Sequence, residues 1–302
     1  MKAKTVDATT TPIETTSTRQ AELLKRSWLK FSESKVSIIG LVIVSVFLLL
    51  ALGGKYLVPY PEHIGSYVDF ANAGLPPSSK HFFGTDLMGR DVFSRIVGSF
   101  RNTLMMGVVV LSIAAPVGFM VGVTAGYNKG TFIDTALMRV TDMFLAVPPL
   151  VLALAIASVL EPNLTNSMLA VTAMWWPWYA RLSYGVTSSL RSENYIIYAE
   201  LVGAKLPHII FKEILPNCLS AVLTKMTLDM GYVIIIAATI SYAGLGEQAP
   251  RPALGSMIAS GVKYMPAQWW LTVFPSITIM LIVLGFNLLG DGISSMLGAE
   301  EI

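Results

Sequence analysis

A chain of 302 residues that is 54% hydrophobic and only 13% charged, with a positive mean hydropathy, excludes both a water-soluble globular domain and a disordered one and reads as an all-α integral membrane protein. Its net charge of +2 gives no basic surface for nucleic acid. A lone Cys218 excludes an intramolecular disulfide, and His63, His81 and His208 are too scattered to complete a zinc site with it.

Residues 1–34 begin as a Thr-rich polar tail around TTTPIETTSTR and turn basic and amphipathic over 23–31, where Trp28 stands among Lys25, Arg26 and Lys30. That pattern suits a cytoplasmic tail and an interfacial helix. A hydrocarbon core about 30 Å thick needs about 20 apolar residues per helix, and six runs of that kind are predicted as transmembrane helices: 36–52, 103–125, 140–160, 168–184, 219–242 and 271–289. The first is expected to stay as an anchor, because a polar tail precedes it and no cleavage site follows at once. Seven basic residues before it place the N-terminus, and with six spans the C-terminus, in the cytoplasm.

Residues 35–100 then comprise this first helix and an extracytoplasmic loop broken by Pro59, Pro61, Pro76 and Pro77. The loop closes on FFGTDLMGRDVF, where Thr85 or Asp86 is the expected cap of the next helix and Asp91 the expected i,i+4 partner of Arg95. Residues 101–298 hold the remaining five helices, with a cytoplasmic loop over 191–217. Trp269 and Trp270 read as interface anchors, and Trp175, Trp176 and Trp178 pose the same choice between anchor and ligand stacker.

The loop YIIYAELVGAKLPHIIFKEILPN is the most informative segment. Ala199, Leu201, Val202, Ala204, Leu206, Ile209 and Ile210 recur at spacings that give a short amphipathic helix pair, with Glu200, Lys205, Lys212 and Glu213 on the wet face. Gly203 permits a sharp turn between the two, and Pro207 suits the first turn of the second. Such a pair either docks its apolar side into a soluble partner or lies at the lipid interface. Asp229 stands mid-span with Lys225 one turn earlier, which makes it either half of a structural ion pair or a lining residue of a translocation path. No phosphate-cradling GxxxxGK[ST], Ser/His/Asp or HExxH arrangement occurs, so no residue is assigned to catalysis or to metal.

Four blocks in order give the chain a likeness from about residue 23 to 298. They are Phe83-Gly84-Thr85-Asp86 with Gly89-Arg90-Asp91; Gly126-Tyr127 with Asp134, Met138, Arg139, Asp142 and Pro148; Gly203-Ala204 with Leu215-Pro216-Asn217; and Phe286-Asn287-Leu288-Leu289-Gly290-Asp291-Gly292. The chain resembles the second (C-type) permease subunit of ABC importers of the dipeptide, oligopeptide and nickel group, and the resemblance implies a type I permease fold with six transmembrane helices. It departs from that group at Tyr198-Ala199-Glu200, where two Ala and then a basic residue are common, at Glu213 in place of His, and at Ala237 in place of Glu.

What the resemblance implies is transport through the cytoplasmic membrane of a bacterium or archaeon, shared with a homologous permease and energised by separate ATPase subunits that bind ATP and Mg. An extracytoplasmic binding protein would deliver the solute, di- or oligopeptides first, with nickel or metal chelates and oligosaccharides as alternatives. Ala199, Gly203, Ala204, Leu206, Ile209, Ile210, Leu215 and Pro216 would form the ATPase-coupling loop, with Leu206, Ile209 and Ile210 as its docking face. A secondary transporter is the competing class, for which internal repeats and several membrane-embedded ionisable residues would be expected.

Overall fold

The computed structural model describes residues 28–297. The polar tail and most of the interfacial helix expected over 23–31 lie outside the described residues, and 28–33 is helical. Among the described residues every regular element is a helix, apart from one isolated bridge between Thr85 and Asp91.

Helix α1, Lys35–Leu57, starts where the Ser34 side chain accepts the Ser37 N–H. Two short turns, Pro61–Ile64 and Phe70–Asn72, then carry the chain to α2, Val92–Tyr127. At 36 residues α2 is about 54 Å long, well beyond a hydrocarbon core. The cap of α2 is Asp91, whose carboxylate accepts the Ser94 N–H at 2.8 Å, and not Thr85 or Asp86. Thr85 is buried in the preceding loop, where its hydroxyl accepts from Leu75 N–H and donates to the Asn72 carbonyl. Asp86 accepts from Arg90 Nε at 2.8 Å and lies 3.5 Å from Arg95 Nε, while Asp91 meets His81 rather than Arg95. The reason is the reversal at Gly89, whose positive φ and contact with the Asp69 backbone fold FGTDLMGRD back over the helix start.

The single span expected over 140–160 is instead two helices, α3 (Phe132–Leu145) and α4 (Pro149–Val159), bent by 86°. Pro148 and Pro149 donate no N–H and disfavour helix in the residues before them, so the apolar run cannot continue straight. Helix α5, Leu164–Leu190, lies along α2, where Gly118, Gly122 and Gly126 let the backbones approach closely. The chain continues through α6 (Asn194–Leu201) to α7 (Leu206–Tyr242), which has a π-helical stretch at Ile209–Ile214, and then through α8 (Leu254–Gly261) to α9 (Trp270–Leu297).

Helices α1 and α7 pack on α9. Among the described residues four helices, α1, α2, α7 and α9, are long and apolar enough to cross a membrane, and five if the bent pair is one span. The fourth run, 168–184, lies within the 27-residue α5, whose polar side chains keep it below that measure. Trp270 is a further correction: it is buried, and its indole donates to the Thr85 carbonyl at 3.3 Å, tying α9 to the loop before α2 instead of anchoring at a lipid interface.

Candidate functional site

Two features at different depths of the bundle stand out, and the first is the turn between α6 and α7. Helix α6 ends because Gly203 takes a φ of +83° with open space where a Cβ would stand, and α7 begins with Pro207 in its first turn. Ile196, Ile209 and Ile214 are buried beneath the turn and hold it against the bundle. Ala199, Ala204, Ile210 and Leu215 are half-buried, while Gly203, Leu206 and Pro216 are exposed.

Ile209, only 1% exposed, is therefore support for the turn and offers nothing to a partner. The outward apolar side chains are Tyr198, Leu201, Val202, Leu206 and Phe211, with Leu201 76% and Val202 85% exposed. Of the three side chains assigned to the docking face, Leu206 is open, Ile210 is partly so and Ile209 is enclosed. The signal for Leu201 and Val202 was their place in the last turn before Gly203, where a helix that stops abruptly presents its end.

This turn is tied to the core. The Tyr127 hydroxyl at the end of α2 donates to Glu200 Oε1 at 2.6 Å, and the Arg191 guanidinium lies 5.3 Å from the Tyr127 ring. Asn217 donates to the Glu213 carbonyl at 2.6 Å and to the Tyr195 hydroxyl at 3.3 Å. Displacing α6 therefore pulls on both α2 and the base of α7.

The second feature surrounds Asp229, which is buried between α7 and α5. Its two oxygens take separate donors, Trp175 Nε1 at 2.9 Å and Lys225 Nζ at 3.1 Å. The Lys225 ammonium lies 5.9 Å and 5.6 Å from the Trp178 and Tyr179 ring centroids. The carboxylate is thus paired on both sides and turned into helix packing. Trp175, for which the sequence leaves open the choice between interface anchor and ligand stacker, is its buried partner. Nearer the α6 end, Arg181 on α5 forms an ion pair with Asp142 on α3. Neither the turn nor these pairs contains a nucleophile–base arrangement, so what they can do is mechanical and electrostatic.

Known proteins agree with this architecture. Residues 118–299 match the family described as binding-protein-dependent transport system inner membrane component, and residues 22–77 match the N-terminal TM domain of oligopeptide transport permease C. A probable D,D-dipeptide transport system permease protein of Escherichia coli is 38% identical over 264 residues, covering 87% of each chain. A dipeptide transport system permease protein of Alkalihalophilus pseudofirmus is 37% identical, covering 90% of this chain and 88% of that one. A glutathione transport system permease protein of Pectobacterium atrosepticum is 34% identical, covering 89% of each. Among solved structures, an inward-facing conformation of the MetNI methionine ABC transporter shares the fold with a TM-score of 0.51 at 18% identity, over 66% of this chain and 93% of that one.

Proposed function

The chain belongs to the family of binding-protein-dependent transport system inner membrane components, and we propose that it works as one of two permease subunits of an ATP-driven importer of short peptides. The relatives named for dipeptides and glutathione support that solute class. In this reading six segments cross the membrane: α1, α2, the bent α3–α4 pair, α5, α7 and α9. Helix α5 makes a sixth span despite its polar side chains, because many of them are buried against its neighbours. Residues 1–34 lie on the cytoplasmic side, 35–100 form the first span and extracytoplasmic loop, and 101–298 the permease core, with both termini in the cytoplasm.

ATP and Mg act in separate ATPase subunits, and a binding protein delivers solute at the opposite face. The observation that carries the energy-coupling part is the exposed apolar tip of the turn, Leu201 and Val202 with Tyr198, Leu206 and Phe211 beside it, presented by a buried isoleucine base. The coupling loop comprises Ala199, Gly203, Ala204, Leu206, Ile209, Ile210, Leu215 and Pro216, with the first contacts made by the exposed tip. Asp229 holds α5 to α7, and the path runs beside its Lys225 partner; unchanged uptake and assembly in Asp229→Asn would remove it from the account.

The test is affinity purification of the tagged chain from its native membrane, with mass spectrometry of its companions. A second permease and ATPase subunits should co-purify with the wild type, and the ATPases should be lost from Val202→Asp while the second permease remains. A chain recovered without any ATPase would refute the reading.

A further inference from the structure

We infer that the Arg181–Asp142 pair is a solute-contact station on the translocation path, shaped for a zwitterion: Asp142 takes the α-ammonium of a short peptide and Arg181 its α-carboxylate. The inference rests on the peptide-importer reading above. Asp142 stands ten residues into α3 and Arg181 nine residues before the end of α5. The start of α3 and the end of α5 stand at the α6 side of the bundle, so at 1.5 Å per residue the two groups lie about 14–15 Å from those helix ends, within the length of α5 that crosses the membrane in this reading.

Charged side chains at such depth pair with one another and face a protein interior or a watery cavity, because lipid cannot solvate them. Here the pair is not enclosed by its own chain: the Arg181 side chain is 39% exposed and that of Asp142 is 44% exposed. One turn along α5 from Arg181, Gly185 has nothing within 4 Å of where a Cβ would stand, so open space continues along this face.

A second observation points the same way. The break between α3 and α4 comes one turn after Asp142, and Pro148 and Pro149 offer no N–H to the carbonyls of Phe144 and Leu145 four residues earlier. Irregular backbone at membrane depth is tolerated where it lines a cavity, and the carbonyl end of a half-helix attracts a cation. The carbonyl end of α3 and the Asp142 carboxylate therefore both favour an ammonium, while the planar Arg181 fork suits a carboxylate. Without solute the two side chains satisfy each other. With solute each exchanges its partner for the matching terminus, so the site costs little to leave, as a transport path requires.

A merely structural pair and a solute station respond oppositely to removal of both partners. Losing one partner of a structural pair strands the other, and losing both relieves it. In proteoliposomes holding the assembled transporter, with its binding protein and internal ATP, initial uptake of labelled Ala-Phe should fall about tenfold in Arg181→Gln and in Asp142→Asn. The double variant should fall further than either, with amounts of assembled complex equal to wild type. A double variant that recovers uptake above the single ones, or single variants that transport normally, would overturn the proposal.

If the variants fail to assemble, the wild-type complex decides. Phenylglyoxal should modify Arg181, and saturating Ala-Phe should protect it. An Arg181 that stays unmodified, or is modified equally with and without the dipeptide, contradicts the station. A wild-type complex that assembles and hydrolyses ATP but carries no peptide would instead sink the peptide reading itself.

Discussion

The contact between α2 and α5 allows the same substitution to be tested at two glycines with opposite results. A Cβ at Gly122 would stand 2.2 Å from the Ala180 carbonyl oxygen and 2.8 Å from the Tyr184 amide nitrogen. Ordinary contact begins near 3.4 Å, and both obstacles are backbone, so Gly122→Ala must push α5 away by about 1.2 Å. Overpacking of this kind costs about 1–3 kcal/mol, and in a membrane, where van der Waals contact drives helix association, no hydrophobic gain offsets it. Replacing Gly by Ala inside a helix returns about 1 kcal/mol, which leaves a net loss of about 2 kcal/mol if the clash is at the upper end.

Gly185→Ala meets nothing within 4 Å and should be neutral or stabilising by up to about 1 kcal/mol. The assay is unfolding of the purified chain in mixed micelles on titration with sodium dodecyl sulfate, followed by tryptophan fluorescence. Trp175 and Trp176 on α5 make that signal sensitive to this contact. A Gly122→Ala chain as stable as Gly185→Ala would refute the close packing of α2 on α5.

Three further outcomes follow from individual contacts. Trp175→Phe removes the indole donor from buried Asp229 and should destabilise the chain by about 1–3 kcal/mol in the same titration; no loss would mean that water or Lys225 alone satisfies the carboxylate. His63 accepts the Asp91 N–H at 2.8 Å through Nδ1, and burial pushes its pKa below 6.5 against the raising pull of Glu62 and Asp91. The loop stability held by neutral His63 is thus fully present above pH 6.5 and is lost as pH falls below that towards the folded value. Limited proteolysis of the 58–91 segment should speed up between pH 7.5 and pH 5, and an unchanged rate would contradict this. Tyr127→Phe cuts the 2.6 Å tie to Glu200 and should lower uptake more than ATP hydrolysis in the assembled complex; a parallel fall of both would assign the tie to assembly alone.

How much of this could be read in the sequence varied with how local its cause is. The spans that became α1, α2, α7 and α9 are long and strongly apolar on average, even with Lys225 and Asp229 inside α7, and hydropathy finds such runs directly. The same measure averaged across Pro148-Pro149 and so joined α3 to α4, although the two prolines are themselves the signal for the break. In the α6–α7 turn the stop at Gly203 and the start at Pro207 were legible, because each follows from one residue's backbone preference. Which isoleucines point inward was not. The π-helical stretch Ile209–Ile214 shifts the phase on which a helical-wheel argument relies, and both of its terminal isoleucines end up buried. The bond from Trp270 to Thr85 and the pair of Arg181 with Asp142 join distant parts of the chain, and no local pattern announces them.

The most direct test of the account is ATP-dependent uptake of a labelled dipeptide by proteoliposomes containing the purified complex and its binding protein, comparing wild type with the Leu201→Asp, Val202→Asp double variant. The wild type should accumulate dipeptide only when ATP is enclosed with the ATPase subunits, and the variant, still folded and paired with the second permease, should accumulate none. Uptake by the wild type without ATP, or full uptake by the variant, would contradict a permease that receives its energy at the α6–α7 turn.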